Sequence, residues 1–377
     1  MKVSIGTKVV DGPWGGGNLF VKNLIEYLKS KNITVVDNLE SNDIDIILLI
    51  DPRKDSENVT FNHVDIANYL AYENPNAKVI HRINECDERK NTSNINQFYI
   101  EANKCADHTV YVSSWIRDLY LSQGMNSVNS VIMTGADKKI FNNLNRREWK
   151  SGDKLRIITH HWGDDWNKGF KIYRKLDNLL STNKWKNKIE FTYIGNLPKG
   201  LNLDNTNIIS PKHGLELSDI LKNHHIYLTA SINEPSGNHH IEGAQCGLPL
   251  LYIESGGIPE FCNGFGVSFN DTNFEIKLTE MIDNYRHFRE KIKNYPQDSI
   301  KMSQEYLKLF SKIKNENSSK NINNLKNNLL IYKLKKYFKK LYINNHSYQT
   351  FYNNLRRIYL FIKSKINTTK YQVLEIK

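Results

Sequence analysis

Along the first 310 positions, short apolar runs alternate with segments whose apolar residues recur at helical spacing. That alternation predicts parallel α/β architecture. The first strand is read over 2–10, followed by the glycine-rich turn Asp11-Gly-Pro-Trp-Gly-Gly-Gly17. A helix follows whose apolar face is Phe20, Val21, Leu24, Ile25 and Leu28. Further strands are predicted over 45–50, 78–83, 109–112 and 130–133. The polar run 141–154 breaks the rhythm and reads as a link. Alternation then restarts at 155–159 and continues with strands at 189–194, 226–230 and 250–253. Two such blocks predict two facing Rossmann-like domains, with ligands in the cleft at the carboxyl ends of the strands. The expected division is 1–145 for the first domain, 155–295 for the second, 296–315 for a helical return segment and 316–377 for a basic helical tail.

Charge sharpens this division. The net charge is +12, but residues 311–377 hold fifteen Lys or Arg against two acids, Glu316 and Glu375. That stretch alone carries +13, so residues 1–310 stand at −1. In the tail, Leu330, Leu334, Tyr337, Phe338 and Leu341 repeat at helical spacing between lysines. Two readings stay open: a solvated helical extension packed on the second domain, or a basic amphipathic helix lying on an anionic membrane. Nucleic acid is not an expected partner.

No run of about 18 apolar residues is present to span a bilayer. Residues 1–10 show neither a charged leader region nor a small-residue cleavage site, so a cytoplasmic protein, peripheral to a membrane at most, is expected. Cys86, Cys105, Cys246 and Cys262 form no paired motif, which fits a reducing compartment. His224-His225 and His239-His240 lack HExxH spacing or a carboxylate partner, so no metal site is expected.

The chemistry concentrates in Ser231-Ile-Asn-Glu234-Pro-Ser-Gly-Asn-His-His-Ile-Glu242-Gly-Ala-Gln-Cys-Gly-Leu-Pro249. It follows a strand, turns through glycine and enters a helix, whose free amides make an anion site. Glu234 at the strand end is placed to grip a sugar hydroxyl, and Glu242 in the first helical turns to reach a ribose diol. The competing reading is an ordinary capped helix after a strand.

Glu234 and Glu242, seven residues apart and followed by Gly247-Leu-Pro249 and Gly256-Gly257-Ile-Pro-Glu260, resemble the E-x7-E region of family 4 glycosyltransferases with the GT-B fold. The resemblance covers roughly residues 1–310. It implies a retaining, metal-independent enzyme that moves a hexosyl-type sugar from a nucleotide-sugar donor to a hydroxyl acceptor. It places Glu234 on the donor sugar, Glu242 on the ribose, and the amides of Ser236, Gly237, Asn238 and His239 along sugar and diphosphate. In Thr159-His-His-Trp-Gly-Asp-Asp-Trp-Asn-Lys168-Gly169, the Lys-Gly pair matches the family and its Gly-Arg pair does not. Lys168 is expected on the diphosphate. His161, with a pKa raised by that anion, is the candidate for the second cation. Gly16 and Gly17 resemble the loop that closes over the donor phosphate, where glycine permits close backbone approach. His81, at the end of a first-domain strand, takes the place of a catalytic histidine. A buried, hydrogen-bonded structural histidine is the competing reading.

No cofactor is implied beyond the donor substrate. The acceptor stays open among a lipid-linked glycan, a polysaccharide precursor, a protein or a small molecule. The basic tail tilts the expectation toward one at a membrane. The alternative is a non-catalytic nucleotide-sugar-binding or membrane-scaffold protein of the same fold. A glycosidase would need two carboxylates about 5–5.5 Å apart across the scissile bond, whereas Glu234 and Glu242 are expected to hold two ends of one nucleotide sugar. A sugar-nucleotide epimerase and a NAD-dependent oxidoreductase fit less of the pattern, the latter because GxGxxG is missing.

Overall fold

The computed structural model of the protein describes residues 1–10, 12, 15–53, 57–150 and 152–316. The tail predicted over 316–377 lies outside the described residues, Glu316 excepted. Strands β1 (Lys2–Ile5), β2 (Thr34–Val36), β3 (Ile46–Leu49), β4 (Lys78–Ile83), β5 (His108–Tyr111) and β6 (Asn129–Val131) form one sheet in the order β2-β1-β3-β4-β5-β6. Its connections are α1 (Gly16–Ser30), α2 (His63–Tyr72), α3 (Asp87–Lys90), α4 (Ile95–Ala102) and α5 (Ser114–Ser122). A second sheet holds β7 (Leu155–His161), β8 (Ile189–Gly195), β9 (Asn207–Ile209), β10 (Ile226–Thr229), β11 (Leu250–Ile253) and β12 (Gly266–Phe269), ordered β12-β11-β10-β7-β8-β9. With it come α6 (Phe170–Leu180), α7 (Gly214–Lys222), α8 (Asn238–Gln245), α9 (Ile258–Cys262), α10 (Phe274–Asp283) and α11 (Tyr285–Ile292). Both sheets are parallel throughout and belong to one compact unit.

Helices on both faces bury the central strands completely: Ile46-Ile-Leu-Leu49 reads as a continuous apolar run, and in Lys78-Val-Ile-His-Arg-Ile83 the polar side chains of Lys78, His81 and Arg82 are buried with the apolar ones. On α1 the predicted face packs onto β1 and β3: Phe20, Val21, Leu24 and Leu28 are buried and Ile25 partly so. Helix α12 (Ser299–Lys314) starts on Asp298, whose carboxylate accepts from the Lys301 amide at 2.8 Å. The chain here crosses back to the first sheet. Met302, Tyr306, Phe310 and Ile313 bury against α1, with the Phe20 and Tyr306 rings 5.2 Å apart. Each such side chain, fully buried, is worth about 1.5–3 kcal/mol.

The first strand is shorter than the predicted 2–10. It ends at Ile5 because Thr7 turns back on Ile5 (2.7 Å) and Lys8 bonds the carbonyl of Asn58 (2.8 Å), an antiparallel contact outside the parallel ladder. The short edge strands β2, β9 and β12 were not among the predicted ones. Among the described residues no helix is long and apolar enough to cross a membrane.

Strand order reverses direction at β1 in the first sheet, and between β7 and β10 in the second. Crevices beyond the carboxyl ends of such strands are where parallel sheets bind ligands. The turn into α1, the segment after β7 and the segment after β10 all leave from those points.

Candidate active site

After β10 the chain passes Ser231 and Ile232 and reaches Asn233, which has a left-handed φ of 51°, and then Glu234, which is only 5% exposed. Pro235 and Ser236 lead into Gly237, where φ is 71°. A Cβ on Gly237 would lie 2.8 Å from the His239 ring and 2.9 Å from that of His240, so both conformation and space require glycine. Helix α8 opens at Asn238 with no side chain capping it. Its first amides therefore lack intrahelical partners and stand as donors. Gly256 and Gly257 press the following segment against this turn: a Cβ on Gly256 would meet the Glu234 backbone at 2.6 Å.

Glu234 is held by two cations. Its Oε2 accepts from Lys168 Nζ at 3.0 Å, and its Oε1 lies 3.0 Å from Arg89 Nε. Burial pushes the Glu234 pKa up, but the Arg89 and Lys168 charges outweigh it and hold the carboxyl at about 2. Lys168 owes its position to Gly169, whose φ is 99° and where a Cβ would meet Ala230 at 2.5 Å. Glycine thus brings the Lys168 turn directly against the end of β10.

Glu242 is oriented by a polar chain the sequence reading left unassigned. Its Oε2 accepts from His160 Nε2 at 2.9 Å. That fixes the tautomer and leaves His160 Nδ1 to accept from the Tyr227 hydroxyl, 3.0 Å away. The Tyr227 oxygen in turn accepts from the His160 amide at 3.1 Å. Residues of two adjacent strands, His160 on β7 and Tyr227 on β10, thereby aim one carboxylate.

His161, the candidate second cation, is buried, with Nε2 2.7 Å from the Tyr173 hydroxyl and its ring 4.5 Å from that of His239. Burial, with Lys168 and His160 nearby, drives its pKa well below the ordinary histidine value. The imidazole is neutral in these surroundings, whereas the raised pKa is expected for the ring set beside a diphosphate. His239 bonds Thr229 Oγ1 at 2.8 Å, and burial drives its pKa down in the same way. Ser236 is buried in the same turn.

On the first-domain side, Gly16 approaches α8 so closely that a Cβ would lie 2.9 Å from the Asn238 side chain. Gly17 has open space around it, so packing makes no such demand there. Asn18, which went unassigned, anchors the loop's entry by bonding Val10 N (2.9 Å) and Val10 O (2.7 Å). His81 is not brought to this cluster. Strand β4 runs on to Ile83, and His81 pairs in register with Leu49 and Thr109 inside the sheet. Its Nδ1 lies 2.9 Å from Asn103 Oδ1, its ring stacks on Tyr99, and burial holds its pKa at about 4. The expected catalytic histidine is, in this structure, a buried hydrogen-bonded one.

What β4 does bring to the cleft comes after its end: buried Glu85 and, on α3, Arg89. Arg89 Nη1 lies 3.4 Å from both Glu85 oxygens. Burial would lower its pKa; Glu234 and Glu85 prevail and raise it. Nothing in local spacing could have flagged Arg89, because its partner is far along the chain. Among the described residues no group of three or more His, Cys, Asp or Glu converges as a metal centre.

No known protein family and no curated protein matches this sequence. Solved structures do match its fold. A glycosyltransferase from Rickettsia africae is 15% identical, with 84% of this chain and 99% of that one covered and a TM-score of 0.57. Anabaena HepE in complex with UDP-glucose is 12% identical (82% and 99% covered, TM-score 0.59). A sucrose-phosphate synthase from Thermosynechococcus elongatus is 14% identical (82% and 99% covered, TM-score 0.55). At these identities the likeness is one of architecture: two facing parallel Rossmann-like sheets, the GT-B fold of glycosyltransferases.

Proposed function

We propose that this protein is a retaining, metal-independent glycosyltransferase that moves a hexosyl-type sugar from a nucleotide sugar to a hydroxyl acceptor. The observation that carries the reading is the pair Glu234 and Glu242 set on either side of the uncapped α8 start, one ionised between Lys168 and Arg89, the other aimed by His160. In the reaction, the bond between the anomeric carbon and the diphosphate oxygen breaks, and a bond from the same carbon to the acceptor oxygen forms. The acceptor's proton passes to the departing diphosphate. The protein's task is to hold developing negative charge with fixed donors in a water-poor site. Lys168 and the amides of Gly237, Asn238 and His239 do this without a metal ion. Glu234, kept as a carboxylate, accepts from sugar hydroxyls, and Glu242 accepts from the ribose diol. Neither needs to act as a nucleophile.

The bound UDP-glucose of the HepE structure supports testing uridine donors first. A melting-temperature screen of UDP-, GDP- and ADP-sugars with chelator present, on wild type and Glu242→Ala, tests the site. The true donor should stabilise the wild type by about 2.7 kcal/mol at a hundredfold excess over Kd and leave the variant unmoved. Proton NMR of the product then reads the anomeric configuration. A shift that persists in Glu242→Ala would refute the placement of Glu242, and an inverted product would refute retention.

A second reading draws on the neutral His161, which stands where a second cation is expected. A protein that binds the donor without turning it over would have less need of that charge. Donor stabilisation with no nucleoside diphosphate released, with or without acceptors, would favour it.

A further inference from the structure

The segment after β7 carries Asp164 and Asp165 and no arginine, and His161 there is neutral. Lys168 is thus the one cation the second domain brings to Glu234 among the described residues. The other comes from across the cleft. Arg89 sits 3.0 Å from Glu234 Oε1, opposite the oxygen that Lys168 takes. Its Nε–H makes no hydrogen bond there, so the contact is a charge pair with donor capacity to spare.

Arg89 is not placed by chance rotamer. Asn167, next to Lys168, donates its Nδ2 to the Arg89 carbonyl at 2.9 Å. Asn233, next to Glu234, donates its Nδ2 to the Glu88 carbonyl at 3.1 Å. Each second-domain residue that contacts the Glu234 ion pairs therefore has a neighbour gripping the backbone of α3. Asn233 is itself fixed by its left-handed conformation and by its amide on Ser255 Oγ at 2.9 Å. Behind the guanidinium, Glu85 keeps it charged and pointed at the cleft.

We propose that Arg89 is the second diphosphate-binding cation of this protein, supplied by the first domain, so that the nucleotide diphosphate is gripped from both sides of the cleft. The inference rests on the nucleotide-sugar reading given above. A planar guanidinium forks onto phosphate oxygens, and the Lys168 ammonium acts beside it as a point charge. Glu234 turns from its two cations to the sugar hydroxyls as they turn to the diphosphate. Because Arg89 reaches Glu234 only with α3 held by Asn167 and Asn233, nucleotide binding and cleft closure become one event.

The test is calorimetric titration of the full chain with UDP, GDP and ADP, each beside its own nucleoside, at 50 and 200 mM salt. Arg89→Gln should weaken binding of the preferred diphosphate at least tenfold, flatten its salt dependence, and leave the nucleoside's affinity unchanged. Arg89→Lys, which keeps the charge and loses the fork, should fall between and decides the matter where the glutamine variant does not fold. Diphosphate affinity equal to wild type in Arg89→Gln, with Lys168→Gln weakened, overturns the role of Arg89 and leaves the nucleotide-sugar reading standing. Parallel loss of diphosphate and nucleoside also overturns it, because it marks Arg89 as a structural clasp only. A wild type that binds none of the three diphosphates fails the nucleotide-sugar reading itself, and the proposal with it.

Discussion

The two faces of the cleft are built in different ways. On the second-domain face each candidate residue sits within a strand, a turn and the start of a helix that are continuous in sequence: Lys168 against Gly169, Glu234 before Gly237, Glu242 inside α8. On the first-domain face the contacts come from three separate helices, α1, α3 and α5. The carbonyl of Gly16 approaches Asn238, the Glu88 and Arg89 carbonyls meet Asn233 and Asn167, and the Ser114 and Trp115 amides meet Glu260. One face is preformed by local backbone geometry. The other is assembled only when the two sheets stand opposite each other.

The largest expected effect concerns what holds each face folded. Burial depresses the pKa of His81 and His224 to about 4, and of His225 and His240 to about 3. The folded chain thus binds fewer protons than the unfolded one below the ordinary value near 6.5. Stability should be complete above about pH 6.5 and fall as pH drops toward 4, by on the order of several kcal/mol in total. Glu234, held at about 2, adds a loss only below about pH 4.5. Three of these histidines lie in the second domain, so hydrogen exchange at pH 4.5 should show its helices losing protection before β4 and α4. Chemical denaturation with unchanged midpoints from pH 7 to 4.5 would contradict the burial of neutral imidazoles.

The second expected effect sets a histidine of one face against a histidine of the other. His160→Gln removes the Nε2 contact that aims Glu242, and nucleotide affinity should fall about tenfold, near 1.4 kcal/mol. His81→Gln should cost about 1 kcal/mol of stability, from the Asn103 contact, with nucleotide affinity untouched. Titration calorimetry on both variants decides it. A loss of affinity in His81→Gln would return that residue to the site.

This pair also marks how far the sequence could be read. Central strands, the apolar face of α1 and the Glu234–Glu242 segment were legible because each is a local pattern. The edge strands β2, β9 and β12 span three or four residues each, too short for periodicity to register. His81 differs for another reason. The strand predicted over 78–83 is the one observed, but its end does not tell how many residues before it a side chain still reaches the cleft, and His81 lies two residues short of Ile83. The cleft-facing chemistry comes after Ile83, and Arg89 acquires meaning only through Glu234. The departure at His160-His161-Trp162 was visible, yet its consequence was not: His160 orients a carboxylate while His161 is buried neutral.

The smallest expected effect probes whether the two faces act together. Glu260, exposed at the start of α9, accepts from the Ser114 and Trp115 amides at 2.7 Å each, a carboxylate set on the N-terminus of α5 in the opposite domain. Glu260→Ala removes both bonds and the favourable charge at that helix end. Solvent screens the pair, so the loss of stability should be only about 0.5–1 kcal/mol. The informative quantity is nucleotide affinity, since Glu260 is read as touching no part of the donor. If the preformed face binds alone, affinity stays at the wild-type value, and the first domain matters for transfer rather than for binding. If the faces close as one, weakening this remote bridge makes closure less favourable, and affinity falls two- to threefold with the nucleoside unaffected. Calorimetry at matched salt separates the two, and equal diphosphate affinity would sever the link between closure and binding.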